Sequence, residues 1–153
     1  MLIALPKGRL LPEIKTLFSK IGIDFDENSR KLIIESSEEN IKIAILRTWD
    51  IHKFVNYGAA DLGVVGKDIL FETDLENNYY EILDLKIGIC RMSLASLDSK
   101  LPKNKKIKVA TKYPSFAKDF FSKLSKDIDI VILKGAIEIA PILGLSDLSL
   151  IHI

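Results

Sequence analysis

The chain has 153 residues, 48% of them hydrophobic, and a net charge of +1 at pH 7. That is enough apolar material to bury a core, and the near-neutral balance excludes a global field that recruits nucleic acid or an anionic membrane. Cys90 is the single cysteine, which excludes an internal disulfide and a thiolate metal site. The apolar run that opens the chain is too short for a signal peptide or a membrane span, so a cytoplasmic protein is expected.

Residues 2–5 form a short apolar run of the kind found in a fully buried parallel strand, and Pro6-Lys7-Gly8-Arg9 breaks it. Leu10, Leu11, Ile14, Leu17, Phe18 and Ile21 follow at helical spacing, with Gly22 as the stop. Residues 31–36 and 41–46 are β-rich runs around a polar stretch, which predicts a hairpin. Asp50 is placed to cap a helix running to Tyr57, with Gly58 at its end. Residues 62–66 read as another buried strand, followed by a helical start at Lys67-Asp68.

The second half repeats this alternation. Residues 86–96 read as a strand pair or one bent strand, with Cys90 buried in it as an inert thiol. Residues 107–110 and 128–133 read as strands. Pro114 opens a helix between them that carries Phe116, Phe120, Phe121 and Leu124 as core packing. Gly135 leads into a helix over residues 136–143, ended by Gly144. Strands alternating with helices predict an α/β fold with mostly parallel sheets. The polar stretch near residues 74–80 is the expected boundary between a first lobe (1–80) and a second (81–153).

His52 and His152 sit in no ligand-spaced motif, and no serine sits in a nucleophile elbow. His52 reads as a surface or half-buried helix residue. Gly66-Lys67-Asp68 only approaches a Walker loop. It lacks the earlier glycine and has Asp where Ser or Thr would hold a metal. What remains is a set of cations at strand ends. Ligands of open α/β sheets bind outside the carboxyl ends of the strands. Lys7 and Arg9 occupy that place after the first strand, with a glycine between them and a helix N-terminus behind. This is either a polyphosphate cradle or a polar turn with solvated cations. Arg47 follows a strand in the same way, and Arg30-Lys31 precedes one. Residues 100–112 carry six lysines and no acid, read as a solvated run or, less simply, a phosphate- or partner-facing patch.

Five stretches, in order, resemble one family. Ala4-Leu5-Pro6-Lys7-Gly8-Arg9-Leu10 is similar to the opening of ATP phosphoribosyltransferase, particularly its short form. Gly58-Ala59-Ala60-Asp61-Leu62-Gly63-Val64-Val65-Gly66-Lys67-Asp68 resembles its central glycine-rich segment. Asp84-Leu85-Lys86-Ile87-Gly88-Ile89-Cys90-Arg91 and Val109-Ala110-Thr111-Lys112-Tyr113-Pro114 resemble its second-lobe strands. Gly135-Ala136-Ile137-Glu138-Ile139-Ala140-Pro141-Ile142-Leu143-Gly144-Leu145-Ser146-Asp147 resembles the start of its motif for phosphoribosyl pyrophosphate (PRPP).

The resemblance implies two α/β lobes like a type II periplasmic binding protein, and the first step of histidine biosynthesis. In that step ATP N1 displaces pyrophosphate from C1 of PRPP. Mg²⁺ assists, held mainly through PRPP and pyrophosphate and by no metal ligands of the chain. Arg9 and Arg30 would be catalytic, stabilising the departing pyrophosphate. Lys7, Lys31, Arg47 and Asp68 would line the nucleotide side. Glu138 would orient the ribose or an adenine edge, with Ala140, Pro141, Gly144 and Asp147 in the donor turn. The expected partners are a second catalytic chain and a regulatory subunit resembling histidyl-tRNA synthetase, with neither nucleic acid nor membrane. The alternative is a two-lobed small-molecule binding module without catalysis.

After Leu148 the family continues with an acidic residue and a Thr-Gly-x-Thr phosphate loop, then a return to the first lobe. Here the sequence reads Ser149-Leu150-Ile151-His152-Ile153. This predicts a tail that is a truncation or a reading-frame or cloning junction rather than native sequence, little transferase activity, and an unpaired edge or exposed apolar face on the first lobe.

Overall fold

In the computed structural model, which describes residues 1–29, 31–73, 79–97 and 106–153, the chain divides into two units, Met1–Ile89 and Cys90–Ile153. The division falls later than the expected 80/81 boundary. Residues 81–89 carry neither helix nor strand, and Ile87 packs against the core of the first unit.

The first unit is built on a four-stranded sheet of order β2-β3-β1-β4, where β1 is Leu2–Pro6, β2 Ile34–Glu35, β3 Lys42–Leu46 and β4 Leu62–Gly63. β1 pairs in parallel with β3 and β4, and β2 is antiparallel to β3. Side chains alternate across β1, as the period of two requires. Ile3 and Leu5 join Ile43, Ile34 and Phe25 beneath helix α1 (Leu11–Lys20), which contributes Leu11 and Ile14. Ala4 faces the other way, toward Ile51 of helix α2 (Thr48–Asn56) and Ala60. Each parallel strand therefore exits into a helix, β1 into α1, β3 into α2 and β4 into α3 (Lys67–Thr73). Gly22 ends α1 with φ of 83°, as expected of a left-handed stop. Asp50 is not a cap. It lies inside the first turn of α2, and Arg47 occupies the N-cap.

The second unit has a sheet of order β5-β8-β6-β7, with β5 Met92–Ala95, β6 Ile107–Thr111, β7 Ile128–Ile132 and β8 Leu148–His152. β6 is parallel to β7 and β8, and β5 is antiparallel to β8. Helix α4 (Pro114–Lys123) lays Ala117 and Phe121 on Ile107, Val109, Leu148 and Leu150. On the opposite face, Ile137 and Ala140 cover Ala110. Among the described residues four of the six strand pairings are parallel, the α/β class expected.

Three expectations change. Residues 86–91 form no strand, because Lys86 and Gly88 adopt φ of 54° and 58°, and Cys90 is consequently exposed. Residues 136–143 form no α-helix. Ala136 is left-handed, and a single 3-10 turn, Ile137–Ile139, follows. The tail, expected to be other than native sequence, takes a regular place in the second sheet. Residues 148–152 are β8, which lies between β5 and β6 with Leu148, Ser149 and Leu150 buried.

Candidate functional site

The first unit gathers its candidate side chains at one edge of its sheet. Pro6 faces Leu46 in the parallel ladder of β1 and β3, so Lys7 and Arg47 leave the sheet from adjacent strand ends, about 5 Å apart by strand spacing. The backbone N–H of Lys7 donates to the Leu46 carbonyl at 2.8 Å, which ties the two exits together. Beyond Lys7, the Leu11 N–H donates to the Gly8 carbonyl at 3.0 Å and closes the turn into α1. Gly8 holds φ of 107° with open space where a Cβ would stand. A backbone that bends this way exposes its amides, and the N-termini of α1 and α2 add their unsatisfied N–H groups on the same edge. Neither helix has a side-chain cap.

Lys31 enters from the same side. β2 is antiparallel to β3, with Ile34 opposite Ile43, so the chain comes into β2 near the end where β3 leaves. Asp68 also belongs to this edge, because β4 is parallel to β1 and α3 starts beyond it. Its carboxylate folds back over Gly66, occupying the space a Cβ there would need. Lys7, Arg9, Lys31 and Arg47 are all exposed, and none of the four is ion-paired among the described residues. By contrast Lys15, Lys42 and Lys67 each hold a carboxylate, on Glu27, Glu35 and Glu81. Arg30 lies outside the described residues.

In the second unit, Glu138 is exposed on the 3-10 turn that follows the carboxyl end of β7. Leu133 extends the β7 ladder by donating its N–H to the Thr111 carbonyl at 3.0 Å, and Ile137 then folds onto the sheet face. Ala140 and Pro141 are buried beneath Glu138's turn, and Gly144 turns with φ of 71° at its outer end. Asp147 is not beside Glu138. It stands at the amino end of β6, where its carboxylate accepts the Lys108 N–H at 2.9 Å and its own N–H donates to the Lys108 carbonyl. It sets the register of β8 on β6.

Two features had no clear sequence signal. His52 is buried in α2, with Nδ1 lacking a hydrogen-bond partner. Burial first, then the neighbouring Lys53, pushes its imidazole below the ordinary value, and Asp50 opposes them. Gly88 touches Leu10, next to Arg9, although it lies far along the chain from that loop. A glycine in an apolar run gives no hint of the partner that requires it.

The lysine run separates on inspection. Residues 100–105 lie outside the described ones. Lys106 is engaged by Asp129 at 2.8 Å and by Asp127, and the hydrogen bond to Asp129 leads in raising its pKa. Lys112 lies 5.0 Å from the centre of the Tyr113 ring. Among the described residues no group of three or more His, Cys, Asp or Glu could hold a metal ion. Among the same residues no helix is long and apolar enough to cross a membrane.

Residues 47–150 match the family model described as HisG, ATP phosphoribosyltransferase. The chain is 46% identical over 151 residues to an ATP phosphoribosyltransferase of Brachyspira hyodysenteriae, with 95% of this chain and 71% of that one aligned. It is 46% identical over 153 residues to ATP phosphoribosyltransferase 2 of Geobacter sulfurreducens, at the same two coverages. Among solved structures it is similar to a chain of the ATP phosphoribosyl transferase (HisG:HisZ) complex from Thermotoga maritima. There the TM-score is 0.83 and the identity 29%, over 100% of this chain and 74% of that one.

Proposed function

Because the chain belongs to the ATP phosphoribosyltransferase family, we propose that the carboxyl edge of its first sheet holds the polyphosphate of the reaction that family carries out. That reaction, in histidine biosynthesis, moves a phosphoribosyl group from PRPP to N1 of ATP. The C1–O bond to pyrophosphate breaks, the C1–N1 bond forms, and the electron pair of the broken bond leaves with pyrophosphate. Nothing in this sequence of bond changes requires a covalent nucleophile on the protein. The demand is for charge stabilisation on the leaving group and for alignment of C1 with N1.

The observation that carries the reading is the Lys7 N–H to Leu46 carbonyl bond. It brings Lys7, Arg9 and Arg47, unpaired among the described residues, together with two uncapped helix N-termini. In this proposal Arg9 meets the departing pyrophosphate with its fork of N–H donors, and Arg30 assists it. Lys7, Lys31 and Arg47 hold ATP phosphates, and Asp68 faces the nucleotide. Glu138 orients a ribose hydroxyl or an adenine edge, over the base formed by Ala140, Pro141 and Gly144. Mg²⁺ is taken to travel with PRPP and pyrophosphate as part of the substrate, and no step is assigned to a protein-bound metal. A second copy of the chain and a regulatory subunit are its proposed partners. The HisG:HisZ pairing named for the Thermotoga maritima complex supports the second of these.

The test is calorimetric titration with ATP and with pyrophosphate, each with Mg²⁺. Arg9→Ala should weaken pyrophosphate by about tenfold or more, the loss of one charge-assisted contact, and should affect ATP less. Pyrophosphate binding that is absent, or indifferent to Arg9→Ala, would overturn the assignment.

A further inference from the structure

Gly88 ends a segment without regular structure that nonetheless belongs to the first unit. Ile87 packs against the Ile3, Leu5 and Leu11 core, as does Leu10. The chain then turns at Gly88 through φ of 58°, in the left-handed region that glycine tolerates. There the backbone comes so close to Leu10 that a Cβ on Gly88 would overlap Leu10 Cδ2, with Leu10 Cγ at 3.5 Å from the same point. The other positive-φ glycines, Gly8, Gly22, Gly58 and Gly144, have nothing within 4 Å of that point. Among them, only Gly88 combines the left-handed turn with a close approach.

What it approaches is the far end of the cationic loop. Leu10 is the N-cap of α1 and directly follows Arg9. Lys7, Gly8 and Arg9 are exposed, whereas Leu10 is half-buried. The loop is thus fixed at one end by the Lys7 N–H on Leu46 and at the other by the Leu11 N–H on Gly8 and the packing of Leu10. Resting on the reading of Lys7 and Arg9 given above, we propose that Gly88 and Leu10 are positioning residues. Their contact fixes the entry of α1 and with it the direction in which Arg9 presents its guanidinium to a polyphosphate.

The experiment uses four variants: Gly88→Ala, Leu10→Val, the double variant, and Gly58→Ala as a control. Gly58 has φ of 70° and open space around it, so its alanine carries the backbone strain without the overlap. Valine lacks the Cδ2 atom that a Gly88 Cβ would strike. Two quantities are read, hydrogen exchange at the Lys7 and Leu11 amides and the Kd for pyrophosphate with Mg²⁺. Gly88→Ala should speed exchange at both amides and weaken pyrophosphate by up to about tenfold, the loss expected when the Arg9 contact is misplaced. Gly58→Ala should leave those amides as they are. Leu10→Val combined with Gly88→Ala should recover protection and affinity toward those of Leu10→Val alone. Equal exchange in Gly88→Ala and Gly58→Ala, or no recovery in the double variant, would overturn the proposal. Pyrophosphate binding that ignores Arg9→Ala would instead overturn the reading of the loop, while the exchange pattern still decides whether Gly88 holds it.

Discussion

The Lys7 N–H donates to the Leu46 carbonyl one step beyond the Pro6–Leu46 pair that ends the parallel ladder. The bond continues the sheet into its own loops. Two cations that belong to different βα units are thereby held at neighbouring exits. The geometry needs no side chain, which is why it is indifferent to the residue types that form it.

Arg47 should distinguish planar recognition from simple charge. Its backbone leaves β3 extended, with φ of −66° and ψ of 131°, at the N-cap of α2. Arg47→Ala is expected to weaken ATP by about tenfold to a hundredfold, the range for a hydrogen bond to a charged group. Arg47→Lys should recover only part of this if the contact is bidentate. Titration calorimetry with ATP, at two salt concentrations, measures both.

His52 gives the first unit a pH dependence of known sign. Its folded pKa lies below the ordinary 6.5, burial being the largest cause. The unfolded chain therefore takes up a proton near pH 6.5 that the folded chain refuses. Stability from this group is full above pH 6.5 and falls as the pH drops below it, toward the lower folded value. His52→Leu should fall less steeply than the parent between pH 7 and pH 5, read as urea midpoints at each pH.

Ser149 should tolerate the loss of its hydroxyl. It is fully buried in β8 and its Oγ has no hydrogen-bond partner. A buried hydroxyl left unpaired carries its desolvation cost without return. Ser149→Ala is expected to leave the second unit as stable or to stabilise it by up to about 1 kcal/mol. Ser149→Val should destabilise it, because the space is closed. Chemical denaturation followed by a probe in the second unit checks the pair.

Gly63 should be intolerant for a reason unrelated to φ. A Cβ there would stand 2.7 Å from Ile51 Cγ2 and 2.9 Å from Val55 Cγ2. Gly63→Ala forces α2 away from β4 and should cost about 1–3 kcal/mol, the range for overpacking. In an Ile51→Ala background, which lacks the Cγ2 atom, Gly63→Ala should cost less than it does in the parent, measured as the coupling in a urea double-mutant cycle.

The parts of the fold that were legible in the sequence are those whose signal is local. The apolar run ending at Pro6, the spacing from Leu11 to Phe18, and Pro114 at the start of α4 each specify their own element. Misread segments depend on distant partners or on backbone state. Ile87, Gly88 and Ile89 have strand composition, but the left-handed turns at Lys86 and Gly88 turn Ile87 into the first core instead. Ala136 has high helix propensity, yet it sits left-handed, because Ile137 and Ala140 must fold back onto Ala110. Of the candidate site, Lys7, Arg9 and Arg47 could be recognised by their place after apolar strands. The bond that joins their loops, and the Gly88 contact, could not be. Asp147 matched a motif, and its place at the amino end of β6 follows from pairing that no motif records.

The order of strands in the second sheet sets an order in time. Among the described residues β5 pairs with β8 alone in that sheet, and β8 also separates it from β6. During synthesis β5 emerges early and stays without its partner until residues 148–152 have been made, whereas the described strands of the first sheet have all been made once residue 63 is out. Pairings this distant in sequence form slowly. The described strands of the first sheet can thus pair while the second still has an open strand to shelter, and that interval is when the chain is most exposed to association with its neighbours.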